Sequence, residues 1–183
     1  MPEKRRADAR RNLDALLEAA KAIFATQGVD APAKEITDRA GVGVGTLYRH
    51  FPQRSDLVIA VLEREIDACA EAGAPLSAAN PPEVALTKWI QRYTDLVATK
   101  AGLASALQSS DAAHEALRAH FYERMSPVLD SLIKAAAIRE DVSAADILHA
   151  VALLSHPVPG EGPDYGRHLV GVFIDGLRPA RID

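Results

Sequence analysis

The stretch KEITDRAGVGVGTLYRHF, residues 34–51, contains two short helical patterns separated by a glycine-rich turn. The first pattern covers residues 34–40 and the second covers residues 45–51. The second ends before Pro52, because the residue that precedes a proline is disfavoured in the helical region. Two helices of this length with a short glycine turn between them are typical of a helix-turn-helix.

The two patterns have an inward and an outward side. The apolar positions expected to face a preceding helix are Ile36, Val42 and Leu47. The outward side chains of the second pattern are then Thr46, Tyr48, Arg49 and His50. Arginine can bond a guanine edge through two donors, and threonine and tyrosine can bond phosphate or contact a thymine methyl. This surface therefore predicts contact with duplex DNA.

The glycine-rich run, Arg49 and Tyr48 each permit another interpretation. A glycine-rich run before a helix can also cradle nucleotide phosphates, but here a helical pattern precedes the run and the lysine of a phosphate loop is missing. Arg49 could instead be a surface ion-pair partner, and Tyr48 a core aromatic. The context disfavours the phosphate loop, whereas the two alternatives for Arg49 and Tyr48 stay open.

A helical pattern and a basic segment precede this stretch. Apolar residues recur with the spacing of one helix face over residues 13–24, and Gly28 stands where a C-cap belongs. Residues 1–12 carry five basic and two acidic side chains. We expect a basic arm in front of the first helix that binds phosphate, with a solvated, frayed terminus as the alternative.

Composition excludes several classes of protein. The 183 residues are 48% apolar and 25% charged with a net charge of −4, which favours globular domains and excludes a histone-like polycation. Residues 1–56 carry a net charge of +2 and residues 57–183 a net charge of −6. No stretch predicts a membrane helix or a signal peptide, and Cys69 is the only cysteine. We therefore expect a cytoplasmic protein.

The rest of the chain is also helical in pattern, without the alternation typical of a strand. Ser55 is expected to cap a helix over residues 55–72, and the prolines and glycine of residues 73–82 predict a hinge. Pro127 predicts a kink or a break in its helix. A further helix is predicted to begin at Pro82, and others to cover about residues 111–138 and 164–177. Between these two, a helix is predicted to start within residues 141–143 and to end near Ser155. We predict an all-α fold.

One string in this pattern is specific to a known family. Residues 40–51 read AGV, then two residues, GTLY, one residue and HF. The segments LLEAA at 16–20 and IFATQG at 23–28 precede this string, and RSDL at 54–57 follows it. Over residues 10–62 the chain resembles the DNA-binding domain of TetR-family (TetR/AcrR-type) transcriptional regulators. The resemblance implies a three-helix DNA-binding domain and a C-terminal helical domain that binds ligand and dimerises. It also implies a homodimeric repressor, a palindromic operator in double-stranded DNA and a small-molecule effector.

The resemblance implies roles for single residues. Thr46 and Tyr48 match phosphate and thymine contacts, and Arg49 matches a variable base reader. His50 matches a phosphate contact, and Arg54 a basic residue that meets the DNA backbone.

Two positions depart from the family. Gly43 and Val44 stand where many members have a serine cap and a polar residue, so Val44 is expected to meet a thymine methyl instead. The full set of predicted DNA contacts is Lys34, Val44, Gly45, Thr46, Tyr48, Arg49, His50 and Arg54. The predicted domains are residues 1–56 for DNA and residues 57–183 for effector and dimerisation, linked by the helix over residues 55–72.

The second domain offers two sets of apolar residues. The predicted pocket lining, with plain core as its alternative, is Trp89, Tyr93, Leu107, Phe121, Tyr122 and Met125. The last two helices are apolar on more than one face, which predicts an isologous contact with a second subunit, or else two central helices of a monomer. The predicted interface residues are Ile147, Val151, Leu154, Leu169, Val172 and Phe173.

The sequence lacks motifs for metal binding or catalysis. No two histidines have the i, i+4 spacing that places two ligands on one helical turn, and no nucleophile motif is present. We therefore expect no enzymatic activity, no metal and no cofactor. The favoured function is a sequence-specific DNA-binding regulator. The alternatives are a helical ligand-binding module or enzyme that keeps the helix-turn-helix as scaffold, and an activator or structural chromatin protein.

Overall fold

The computed structural model describes residues 2–103, 111–162 and 164–178. Every regular element in these ranges is an α-helix, which confirms the predicted all-α fold. None of the described helices is long and apolar enough to cross a membrane. The helices in chain order are α1 (Pro2–Gln27), α2 (Ala33–Ala40), α3 (Val44–His50), α4 (Arg54–Glu71), α5 (Gly73–Ala79), α6 (Pro82–Leu103), α7 (Asp111–Ala136), α8 (Ala144–Leu154) and α9 (Tyr165–Gly176).

The chain divides into two compact units. The first takes its residues from Met1–Arg64 and Gly102–Leu117, and the second from Glu65–Ala101 and Arg118–Asp183. The division falls inside α4, inside α7 and two residues before the end of α6, so each of these helices contributes residues to both units.

Helix α1 begins at Pro2, so the basic segment is the start of a helix and not an arm in front of one. Residues 3–12 are mostly Glu, Lys, Arg and Ala, which have high helix propensity, and no breaker separates them from the apolar pattern that follows. Arg11 pairs with Asp8 one turn earlier. The predicted end at Gly28 is confirmed by its positive φ of 80°.

The core of the first unit comes from one face of each of its first four helices. Its fully buried side chains include Leu16, Ile36, Leu57, Val58 and Val61. On the surface, Arg64 ties α4 to α1, because its guanidinium donates to the Asp14 carbonyl at 2.9 Å and lies 3.4 Å from the Glu18 carboxylate. These contacts hold α4 against α1.

Helix α4 begins differently from the prediction. Ser55 is not its cap but a buried residue in its first turn, since the helix starts at Arg54. The carboxylate of Asp56 accepts a 2.9 Å hydrogen bond from the Gln53 N–H, which satisfies one of the free donors at the helix start.

The predicted hinge at residues 73–82 is largely helical. Residues 73–79 form α5, where Pro75 lies in the first turn and its missing N–H costs no helical hydrogen bond. Gly73 is buried against Val128, and a Cβ at this glycine would lie 2.3 Å from the valine Cγ1. The segment therefore begins as a helix packed on the second unit at Gly73, although most of its other residues are exposed.

Helix α7 continues through Pro127, so the predicted break is absent, while the alternative of a kink stays a prediction. The proline removes the hydrogen bond to the carbonyl of Glu123, an exposed residue one turn earlier. Helix α8 starts as predicted after Ser143, whose hydroxyl accepts from the Asp146 N–H while that carboxylate accepts from the Ser143 N–H. This reciprocal capping box lowers the pKa of Asp146, chiefly through the hydrogen bond from the Ser143 side chain.

Candidate nucleic-acid interface

The turn between α2 and α3 requires glycine at its first position. Gly41 has a φ of 68°, which residues with a side chain rarely adopt, and its N–H donates to the Asp38 carbonyl. Val42 then donates to the Thr37 carbonyl at 3.0 Å. Gly43 is extended and begins α3 without a side-chain cap. The turn therefore ends α2 and starts α3 within three residues.

Helix α3 is held from its inward side. Leu47 is 3% exposed, and Phe51 at the end of the helix is also buried. Helix α3 packs on α2, whose Ile36 is completely buried. Two of the three predicted locking positions, Ile36 and Leu47, are thus core residues, while Val42 is half-buried. The buried side sets the rotation of α3 and so decides which residues face outward.

The outward side of α3 carries unpaired polar groups. Tyr48 is 54% exposed, which excludes the core-aromatic alternative. Arg49 and His50 are exposed, and within the described ranges the guanidinium of Arg49 makes no ion pair or hydrogen bond. The ion-pair alternative for Arg49 is therefore not seen. Thr46 is half-buried at the edge of this surface.

The start of α3 exposes an apolar residue and a glycine. Val44 is 38% exposed. A Cβ at Gly45 would meet no atom of the chain within 4 Å, so the packing of the unit does not require a glycine there. Val44, Gly45 and the outward residues Thr46, Tyr48, Arg49 and His50 together form what we call the α3 surface.

Helix α2 carries two exposed cations, Lys34 in its first turn and Arg39 in its last. The Lys34 ammonium lies 2.6 Å from the Asp38 carboxylate, and this hydrogen bond raises the pKa of Lys34. Arg39, in the last turn of α2, is exposed and has no ion pair among the described residues. Sequence reasoning missed Arg39, although its position off the face marked by Ile36 and Ala40 was the available signal.

Arg54 is placed differently from the α3 surface. Its Nε donates to the Val29 carbonyl at 2.6 Å, and one of its terminal nitrogens donates to the Ala31 carbonyl. The guanidinium carbon lies 4.9 Å from the centre of the Phe24 ring. Burial lowers the pKa of Arg54, with the nearby Asp30 and Tyr48 acting in the opposite direction. Two hydrogen-bond donors of Arg54 are therefore held by backbone carbonyls of the first unit.

Comparison with known proteins decides the family. The chain matches the model for bacterial regulatory proteins of the tetR family over residues 16–61 and the model for the C-terminal domain of SbtR-like transcriptional regulators over residues 81–179. The chain belongs to the TetR family. It is thus a DNA-binding transcriptional regulator with a helix-turn-helix, as the sequence resemblance implied.

Solved structures support this assignment over nearly the whole chain. A TetR transcriptional regulator from Streptomyces coelicolor is 32% identical, with a TM-score of 0.74 over 91% of this chain and 98% of its own. A TetR regulatory protein from Mycobacterium vanbaalenii is 34% identical, with a TM-score of 0.72 over 95% and 99% of the two chains. Curated relatives match a shorter part of the chain. An HTH-type transcriptional regulator of Staphylococcus aureus is 40% identical over 63 residues, which is 34% of each chain.

Three of the six predicted pocket residues of this TetR-family regulator are buried. Trp89, Tyr93 and Met125 are buried, and the Tyr93 hydroxyl donates to the Leu148 carbonyl at 3.0 Å. Phe121 and Tyr122 are half-buried, whereas Leu107 lies outside the described residues. The Tyr122 hydroxyl is hydrogen-bonded to His149 Nε2 at 2.8 Å.

The second unit also has a small cavity of about 30 Å³. None of the predicted pocket residues lines it. Its lining residues are Glu83, Leu86, Thr87, Ala136, Ile138, Ile174, Leu177 and Arg178. A cavity of this size holds a water molecule or two and no organic effector. No group of three His, Cys, Asp or Glu residues in the described part of the chain is arranged to hold a metal ion.

The predicted interface residues on α8 and α9 divide into core and surface. Ile147 and Val151 have no exposed surface, so they pack inside the unit and cannot touch a second subunit directly. Val172 is 59% exposed. Leu154, Leu169 and Phe173 are half-buried. Leu153, which sequence reasoning passed over, is 71% exposed, and the apolar run over residues 147–154 was the signal for it.

Proposed function

We propose that this TetR-family regulator is a homodimeric repressor whose two α3 helices bind the half-sites of a palindromic operator and are released by a small-molecule effector. The observation that carries the proposal is the α3 surface. It presents the hydroxyl of Tyr48 and the guanidinium of Arg49 without a hydrogen bond or ion pair in the described chain, while Leu47 anchors the same helix in the core. A rigid helix with free donors on its outer side suits the major groove.

Each residue of the α3 surface has chemistry that suits one part of DNA. We assign Arg49 to a guanine edge, because a guanidinium can bond O6 and N7 together. Tyr48, Thr46 and His50 are assigned to phosphate, with Tyr48 or Thr46 also reaching a thymine methyl. Val44 is assigned to a thymine methyl by apolar contact.

Four further residues are assigned to the DNA backbone. Since no atom of the chain crowds Gly45, we propose that its lack of a side chain serves close approach of the DNA backbone. Lys34 reaches phosphate only if it exchanges its Asp38 partner for the DNA. The exposed Arg10 of α1 and Arg39 of α2 add sequence-independent phosphate contacts.

The second copy is proposed to meet α8 and α9. Exposed leucine and valine side chains at Leu153 and Val172 leave these two helices apolar on the side away from the core. We assign the half-buried Leu154, Leu169 and Phe173 to the same interface. Four helices, two from each subunit, then bury this surface in an isologous contact.

The effector is proposed to act through the spacing of the two α3 helices. Both can engage one operator only when they lie about 34–36 Å apart, one turn of DNA. A molecule that prefers another spacing lowers DNA affinity by its preference for that state. Helix α4, which contributes to both units, is the element we assign to this coupling. For comparison, the regulator LfrR of Mycobacterium smegmatis, solved with proflavine, shares this fold at 20% identity and a TM-score of 0.64 over 92% of this chain.

Selection of bound duplexes from a random pool tests the proposal. The expected result is a palindrome whose half-sites are about 10 base pairs apart from centre to centre, as two α3 helices of one dimer require. Recovery of single half-sites without symmetry would exclude the dimeric arrangement. Failure of the unmodified protein to enrich any sequence would exclude specific DNA binding and leave the helix-turn-helix as scaffold.

A further inference from the structure

Arg54 differs from the exposed Arg39 and Arg49 of the helix-turn-helix, because two of its donors are held by backbone carbonyls of the same unit. Its Nε and one terminal nitrogen donate to the carbonyls of Val29 and Ala31, which lie 25 and 23 residues earlier in the chain. These hydrogen bonds use two of the five guanidinium N–H donors and fix where the group lies. The geometry thus ties Arg54 to the turn before α2.

The carbonyls that Arg54 holds belong to the turn that leads into α2. Val29 and Ala31 are both buried in that turn. Pro32, at the N-cap position of α2, makes no side-chain cap and has no N–H to offer. Buried carbonyls that lose their donors are costly, so the turn depends on Arg54 for its shape.

The other side of the guanidinium is also occupied. The Phe24 ring lies beneath it at 4.9 Å, and this ring is itself part of the core formed by α1. A planar cation stacked on a ring and forked between two carbonyls has one orientation, and a lysine cannot reproduce it. Arg54 therefore joins α1, the turn before α2, and the start of α4.

We propose that Arg54 is a positioning residue for DNA binding, which holds the turn before α2 and thereby sets where α3 and its outward side chains lie. The proposal rests on the proposed function, because it concerns how the α3 surface is presented to DNA. The link to α3 is short, since α2 packs directly on α3. Tyr48 is also close enough to Arg54 to act on its charge.

The test compares Arg54→Lys and Arg54→Ala with the unmodified full-length protein. Affinity is measured for the duplex selected above and for a scrambled duplex of equal length, at several salt concentrations. Circular dichroism first establishes that each variant is folded at the temperature used. Arg54→Lys keeps the charge, so it carries the test should Arg54→Ala not fold.

A positioning role predicts loss of discrimination without loss of a phosphate contact. Arg54→Lys is expected to reduce the ratio of selected to scrambled affinity by about tenfold, because a displaced α3 loses base contacts first. The slope of log affinity against log salt on the scrambled duplex is expected to stay unchanged. Arg10→Ala is the comparison, since loss of one phosphate contact lowers that slope by about 0.9.

Two results would overturn the positioning role. One is restoration of binding by Arg54→Lys together with a lower salt slope in Arg54→Ala, which is the behaviour of a phosphate contact. The other is unchanged discrimination in a folded Arg54→Ala variant, which would leave Arg54 with a purely structural part. If the unmodified protein itself does not discriminate between the duplexes, the proposed function fails, and this failure is visible before any variant is measured.

Discussion

The indole N–H of Trp89 donates a 3.0 Å hydrogen bond to the carbonyl oxygen of Cys69, which joins α6 to α4 inside the second unit. Both side chains are buried. The same burial raises the pKa of the Cys69 thiol to about 12, so the thiol stays protonated at neutral pH. Trp89, which the sequence suggested as a pocket wall or core, is thus a core residue with a satisfied donor.

Trp89→Phe is expected to destabilise the second unit. The variant removes the donor to Cys69 and leaves a cavity, which together cost about 2–4 kcal/mol in the free energy of unfolding. Urea denaturation followed by circular dichroism measures the change. Tyr165→Phe is the control, since its hydroxyl has no hydrogen bond within the described residues and its loss should cost less than about 0.5 kcal/mol. Equal costs for the two variants would show that the Trp89 contact contributes nothing specific.

Arg49→Ala is expected to weaken binding to the selected duplex by about 1–3 kcal/mol and to relax the base preference at one position of each half-site. The reason is the loss of a bidentate contact to guanine. Titrations against duplexes with all four bases at that position measure both effects. Arg92→Ala removes the same charge from an exposed site on α6 and should leave the preference intact. An equal loss on every duplex would identify Arg49 as a phosphate contact instead.

Gly45→Ala is expected to weaken DNA binding without lowering the thermal stability of the protein. Alanine inside a helix is more stable than glycine by about 0.5–1 kcal/mol, and the added methyl meets no atom of the chain within 4 Å. Thermal unfolding should therefore occur at the same or a higher temperature. Duplex titration should nevertheless show weaker binding, because the methyl keeps the DNA backbone away. Unchanged affinity would mean that the interface has room for a side chain here.

Leu153→Lys is expected to dissociate the dimer. A charged side chain at this exposed leucine of α8 would be buried without a partner in the proposed interface, which is strongly unfavourable. Sedimentation at micromolar concentration should show a monomer for the variant and a dimer for the unmodified protein. Val84→Lys places the same charge on an exposed apolar site of α6 and should remain dimeric. A dimeric Leu153→Lys protein would move the interface elsewhere.

The capping box of α8 predicts a pH-dependent contribution to stability. Hydrogen bonds from Ser143 lower the pKa of Asp146 in the folded state, so the ionised carboxylate stabilises the fold at neutral pH. This contribution is lost as the pH falls through the folded-state pKa, where the carboxylate takes up a proton. Asp146→Asn should therefore be less stable than the unmodified protein at pH 7, and the difference should shrink in acid. Calorimetry from pH 7 to acid pH measures it, and a constant difference would contradict the assignment.

Local patterns predicted the helix-turn-helix closely. The glycine turn, the position of Pro52 and the spacing of Ile36 and Leu47 act over a few residues, and the structure has α2 and α3 within one residue of the predicted bounds. The capped start of α8 after Ser143 was predictable for the same reason. The prolines and the glycine of residues 73–82, and likewise Pro127, predicted interruptions. The structure is nevertheless helical over residues 73–79 and through Pro127.

The sequence by itself determined the helical class, the helix-turn-helix and the family, because these depend on periodicity and on short motifs. Only the tertiary structure decided which apolar residues of α8 are core and which are surface, since Val151 and Leu153 have the same chemistry but opposite burial. It also decided that Arg54 faces the carbonyl of Val29, a residue 25 positions away. Partners and burial depend on how distant segments pack, and no local pattern contains that information.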